Sequence, residues 1–157
     1  MPHIPESNDV ADWHKYFAME YNNRAWNLAA NQSRSAEENA EMLDAAHAAA
    51  AHWKIVGTQL NIARAETLLA AVHSLLGLGK SAWALASSVR TYFAKESCPD
   101  WEQAYIHLIH AHAAYVDGRD AEHRASYQLA ATALENIADA EDRVLVQASF
   151  DQVPVPD

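Results

Sequence analysis

The feature that most constrains this chain is a helix-turn-helix pattern that occurs twice. Ala70-Ala71-Val72-His73-Ser74-Leu75-Leu76-Gly77 is answered by Ala111-His112-Ala113-Ala114-Tyr115-Val116-Asp117-Gly118, and a second helical stretch follows each. The two turn glycines stand 41 residues apart, which is the spacing of a helical repeat. A chain that twice ends an alanine-rich helix at glycine and then starts another is confined to stacked helical hairpins. Such a scaffold is built to present surfaces, and partner binding is its default use.

Bulk properties agree with that restriction. At 157 residues, the chain is expected to form one domain, residues 1–157, burying roughly 68–70% of its unfolded surface without help from metal or disulfide. Alanine dominates, and only 4 glycines and 5 prolines interrupt it. Alanine is the best helix former, so the expected class is all-α with about seven helices. The net charge is −10, and the 11 Lys and Arg residues are scattered singly. A nucleic-acid binder needs a clustered basic footprint, which argues against nucleic acid and against an anionic membrane surface. The acidity favours solubility and suits a basic partner. Cys98 is the lone cysteine, so no disulfide framework exists within one chain. The beginning, Met1-Pro2-His3-Ile4-Pro5-Glu6, lacks the pattern of a signal peptide. No apolar run reaches the roughly 20 residues that cross a bilayer. The expected location is cytoplasmic.

Periodicity places the elements. Val10, Trp13, Phe17, Tyr21, Ala25 and Leu28 mark the buried stripe of a first helix from about Asp9 to Ala30. Ser35 and Glu38 form a capping box for a second helix, which runs to about Ile55. Gly57 is read as a left-handed cap and Thr58 as the next N-cap. A third helix extends to Leu76, apolar over a wide arc, and Ser81 is expected to open a fourth reaching Lys95. Pro99 suits the first turn of a fifth helix ending at Asp117. A sixth spans Asp120 to Ile137, and Asp139 caps a short seventh that ends near Ser149. Residues 1–8 and 151–157 read as extended tails.

With the turn glycines aligned, the two hairpins resemble tetratricopeptide-type repeats over roughly residues 60–137. Ala70 and Ala82 flank Gly77 as the small residues of the first hairpin, and Ala111, Gly118, Tyr127 and Ala130 fit the second. His123 and Ala86 depart from the small and aromatic residues of that pattern, and the spacing exceeds the family's about 34. The resemblance implies hairpins stacked into a right-handed superhelix. Its concave face, made by the first helix of each pair, would take a ligand without catalysis.

Two constellations compete for function. In the first, the third and fifth helices line a groove that binds a protein or peptide through Asn61, Arg64, His73, His107 and His110. On a helix His107 and His110 lie about 60° apart, whereas His112 points about 140° from His107. His112 therefore falls on the stripe of Trp101, Tyr105 and Leu108 and is assigned to the core, with a hydrogen bond. Arg64 needs either a groove or an acidic partner, Glu20 or Asp44. Trp26 and Trp53 are the tryptophans best placed for a half-exposed binding surface. In the second constellation, Asp44-x-x-His47 and Asp120-x-x-His123 resemble the carboxylate-x-x-histidine pairs of ferritin-like dimetal bundles, with Glu20 and Glu66 as bridging carboxylates. Asp120, two residues past Gly118, is also expected to be an N-cap, which competes with ligation. Cys98 has no adjacent base, and no phosphate loop, nucleophile elbow or zinc-protease motif occurs. The preferred reading is a non-catalytic binding module without cofactor. Self-association is a further expectation, because Tyr16, Met19, Asn23, Trp26 and Ala30 give the first helix a second stripe.

Overall fold

Gly77 and Gly118 close their helices by one and the same hydrogen-bond motif. Both adopt left-handed backbone angles, φ 70° and 72°. At the first turn Leu78 N–H donates to the His73 carbonyl at 2.8 Å, and Gly77 N–H to Ser74 at 3.0 Å. At the second, Arg119 donates to Ala114 at 2.9 Å and Gly118 to Tyr115 at 3.0 Å. This is the Schellman arrangement, which satisfies carbonyls that a helix end otherwise leaves bare.

The structure, a computed structural model, describes all 157 residues. It is all-α: α1 (Val10–Ala30), α2 (Ala36–Val56), α3 (Gln59–Leu75), α4 (Gly79–Phe93), α5 (Asp100–Val116), α6 (Asp120–Glu135) and α7 (Ala140–Phe150). The 41-residue offset carries α3 onto α5 end to end, and the start of α4 onto the start of α6. No helix is long and apolar enough to cross a membrane.

Side chains begin four of these helices as the sequence suggests. Asp9, Ser35, Thr58 and Asp139 each accept from a backbone N–H of the first turn. Ser35 with Glu38, and Thr58 with Asn61, form complete capping boxes. Three expectations are corrected. Gly57 has φ −85°, ordinary extended backbone; it is needed because a Cβ there would lie 2.6 Å from the Trp53 carbonyl oxygen. Helix α4 starts at Gly79 rather than Ser81, and the Ser81 hydroxyl donates back to the Leu78 carbonyl at 3.0 Å. Asp120 is the first helical residue and not the N-cap, because the Schellman turn leaves only Arg119 outside the helix.

Helices pair as hairpins α1–α2, α3–α4 and α5–α6, and α7 packs on α5 and α6. The first members also touch in succession, α1 on α3, α3 on α5 and α5 on α7, forming one layer. Asp100 accepts from the Ala138 N–H, and farther along Tyr105 reaches Ser149, so α5 and α7 run in the same direction. More than half of the buried apolar residues are alanine. Small side chains favour the near end of the usual interaxial range of about 8–10 Å. Backbones come very close between the hairpin turns. A Cβ at Gly79 would lie 2.4 Å from the Val116 carbonyl oxygen.

The C-terminal segment is corrected from a free tail to a packed one. Val153 is buried against the cluster containing Ala130, Leu134 and Phe150, and the Pro154 carbonyl accepts from His123 Nε2 at 2.8 Å.

Gly77 and Gly79 should respond differently to alanine. At Gly77 nothing lies near the new Cβ, so Gly77→Ala pays only for the left-handed backbone, about 1–2 kcal/mol. Gly79→Ala forces two backbones apart and should cost about 2–3 kcal/mol. Urea unfolding of both variants checks the order, and a Gly79→Ala protein as stable as the parent would contradict the close turn-to-turn packing.

Candidate functional site

The layer of first helices leaves a groove of about 780 Å³ on its open side. Helix α1 contributes Asn22, Trp26 and Asn27, α3 contributes Arg64 and Thr67, and α5 contributes Trp101, Glu102 and Tyr105. Helix α7 supplies Asp142 and Leu145 as the far wall. The volume lies within the range typical of ligand sites, about 300–1,000 Å³. Trp26 stands edge-on to Tyr105, with centroids 5.4 Å apart and planes at 79°. Leu145 is 68% exposed at the rim. The side chains of Asn22, Asn27 and Gln32 line the groove and are not engaged by other groups of the chain.

Arg64 is held at the groove by a partner that the sequence reading missed. Its Nε donates to Glu102 Oε1 at 2.7 Å and its second terminal nitrogen to Oε2 at 2.9 Å. Glu102 is only 5% exposed, and a buried carboxylate requires such bidentate compensation. The partners proposed from sequence, Glu20 and Asp44, are not used. The signal was present in the 41-residue offset. Aligned first helices set position 64 beside 105, and 102 lies one turn earlier. Arg24, the analogous question on α1, pairs with Glu41.

The faces of α5 are the reverse of the expected ones. Trp101 and Tyr105 open onto the groove, and His107 and His110 turn away towards α4 and α6. His110 is buried, with Nδ1 at 2.8 Å from Ser126 Oγ and 3.2 Å from Arg90. Arg90 can only donate, so Nδ1 accepts and the ring is neutral. Trp83 covers it, with centroids 4.6 Å apart. Burial, then Arg90 and His107, lower its pKa to about 4 against a smaller opposing effect of Glu122. His107 is half-buried, and its Nδ1 has no partner. Burial and Arg90 depress it as well. His112 is likewise corrected. It makes no hydrogen bond, lines a small chamber beside the groove, and is held at about 4 by burial and His123.

The remaining candidates have structural work. Asn61 completes the Thr58 capping box. His73 lies buried between α2 and α4, with Nδ1 at 2.7 Å from Ser81 Oγ and Nε2 at 3.3 Å from His47 Nε2. Burial and His47 lower its pKa. Of the five groove residues read from sequence, Arg64 alone lines the groove. Trp26 lines it too, whereas Trp53 packs against the cluster of α1, α2 and α3.

The dimetal set does not assemble in this arrangement. His47 meets His73, while His123 is buried on α6 and bonded to Pro154. Asp44 is exposed, Asp120 begins α6, and Glu66 sits 3.9 Å from Lys54. No three or more of the chain's His, Cys, Asp and Glu side chains form a metal-holding group. Cys98 is half-buried, and burial followed by Glu102 raises its thiol against a smaller effect of Arg64. That opposes thiolate chemistry.

No protein-family model, curated protein or solved structure matches the chain.

Two outcomes follow from these environments. His110 and His112 stay neutral in the folded protein down to about pH 4, whereas in the unfolded chain they protonate near 6.5. Their contribution is therefore complete above about pH 6.5 and is lost as the pH falls towards 4. Urea midpoints should drop between pH 7.5 and 5.0, with about 2 kcal/mol from His110 alone, and a flat profile would contradict its burial. Separately, Arg64→Met leaves Glu102 buried and unpaired. It should cost about 2–3 kcal/mol, below the full penalty because water reaches the guanidinium. Arg24→Met, in an exposed pair, should cost under about 1 kcal/mol in the same assay.

Proposed function

We propose that this protein is a non-catalytic, helical-hairpin module of tetratricopeptide-like type that binds an extended peptide segment carrying a basic residue. The groove bounded by α1, α3, α5 and α7 carries the reading, because its free side chains have the chemistry of a peptide clamp. Asn22, Asn27 and Gln32 each offer a donor and an acceptor, matching the alternating N–H and C=O groups of an extended backbone. Trp26 and Trp101 provide rigid apolar area at low entropic cost, and exposed Leu145 extends it to the rim.

Charge selects the occupant. Arg64 and Glu102 neutralise one another, which leaves the aspartates Asp142 and Asp151 as the net charge of the lining. Asp142 accepts no side-chain partner and faces the groove from the exposed wall. The overall charge of −10 adds long-range attraction for a cationic segment.

A positional-scanning array of acetylated, amidated decapeptides tests this. Peptides with Lys or Arg at one fixed position should be retained, with affinity falling about tenfold or more on Trp101→Ala or Leu145→Asp. Asp142→Asn should weaken binding several-fold and flatten its salt dependence. An array with no retained decapeptide, or retention indifferent to Trp101 and Leu145, would overturn the reading.

A further inference from the structure

Beside the groove lies a second space with a different chemistry. This chamber, about 60 Å³ in volume, shares Trp26, Ala30, Tyr105, Ser149 and Gln152 with the groove as common wall. A space of this size takes about four or five water-sized groups. Its remaining lining is apolar except for one side chain, His112 on α5. No Asp, Glu, Lys or Arg lines it, in contrast to the groove next door.

The polar groups at its edge form a defined set of donors and acceptors. Tyr105 donates its hydroxyl proton to Ser149 Oγ at 3.2 Å, which leaves the Ser149 proton free to be donated onward. Gln152 directs its Nε2 to the Ala29 carbonyl at 3.5 Å, leaving its Oε1 free to accept. His112 has no partner in the chain, and as a neutral imidazole it brings one donor and one acceptor. Burial keeps it in that neutral form near pH 7. An anion entering here would find no cation, and a cation no carboxylate, so either would lose hydration without compensation. A guest that both accepts and donates without charge is matched.

We infer that the chamber is a recognition subsite for a primary carboxamide, held between His112, Ser149 and Gln152. For the source of that amide the inference rests on the groove reading: an Asn or Gln side chain of the bound peptide, one position from the segment across Trp26 and Tyr105. The guest's carbonyl accepts from the Ser149 hydroxyl, and its two amide hydrogens go to Gln152 Oε1 and to the unprotonated nitrogen of His112.

Three probes of matched size decide it: propionamide, propionate and n-propylammonium, titrated into the full chain at pH 7.4 and followed by amide and imidazole NMR shifts. Propionamide should give saturable shifts at His112, Ser149 and Gln152, with the two ions at least tenfold weaker. His112→Phe preserves the ring volume and should reduce propionamide affinity about tenfold; Ser149→Ala, at a half-buried site, gives an independent loss if the first variant folds poorly. Equal binding of all three probes, no saturable shift, or shifts unaffected by Ser149→Ala would overturn the subsite. Propionamide binding with an empty peptide array would support the chamber and remove the peptide as its source. Retained peptides with no Asn or Gln preference, and silent propionamide, would overturn the chamber and leave the groove.

Discussion

Where helices meet over alanine, backbone rather than side chain sets how near they come. The buried residues of α1 are all alanine, those of α2 are alanine except Met42, and alanine recurs along the buried faces of α3 and α5; the contact between Gly79 and the Val116 carbonyl shows the limit of that approach. Two consequences reach the site. Bulky residues that cannot enter these narrow crossings, Trp26, Trp101 and Tyr105, are displaced to the layer's open side, where they line the groove. The close, parallel placement of α3 and α5 also brings Arg64 within bidentate reach of Glu102. The site is thus a by-product of how little volume the core occupies.

Much of the architecture was legible because it is written locally. Capping boxes at Ser35–Glu38 and a left-handed glycine at each hairpin depend on residues within one turn of each other, and sequence displays such relations directly. The groove was less legible. Helix α5 is apolar nearly all round, so hydrophobic periodicity has no polar face from which to orient it. The histidines were read as the polar face, yet His110 is satisfied inside by Ser126 and Arg90. A neutral imidazole is amphipathic enough to serve as core. Glu102 lies in the first turn of α5, where an acidic residue suits the helix dipole, and nothing local in the sequence marks its pairing with α3.

The distribution of charge separates the two sides of the layer. Between α2, α4 and α6 and their neighbours, the buried polar contacts centre on imidazoles, His73 with Ser81 and His47, and His110 with Ser126 and Arg90, and the ion pairs Arg24–Glu41 and Lys54–Glu66 lie nearer the surface. On the groove side, formal charge appears in the Arg64–Glu102 pair and on Asp142 and Asp151. Burying neutral donors and acceptors costs far less than burying ions, provided that each finds a partner. Apart from Glu102, which Arg64 compensates, the fold keeps its ionised groups where water, or something replacing water, can reach them.

The docking of Val153 and Pro154 beside α6 has a consequence for how such a molecule can assemble. Those residues occupy surface that a following hairpin would need, and His123 fastens them there. The stack is therefore stoppered at one end, while its other end shows exposed Val10 and Met19 on α1. No further hairpin can stack on that end while Val153 and Pro154 stay docked there. Contact between copies through α1 would join like end to like and close at two.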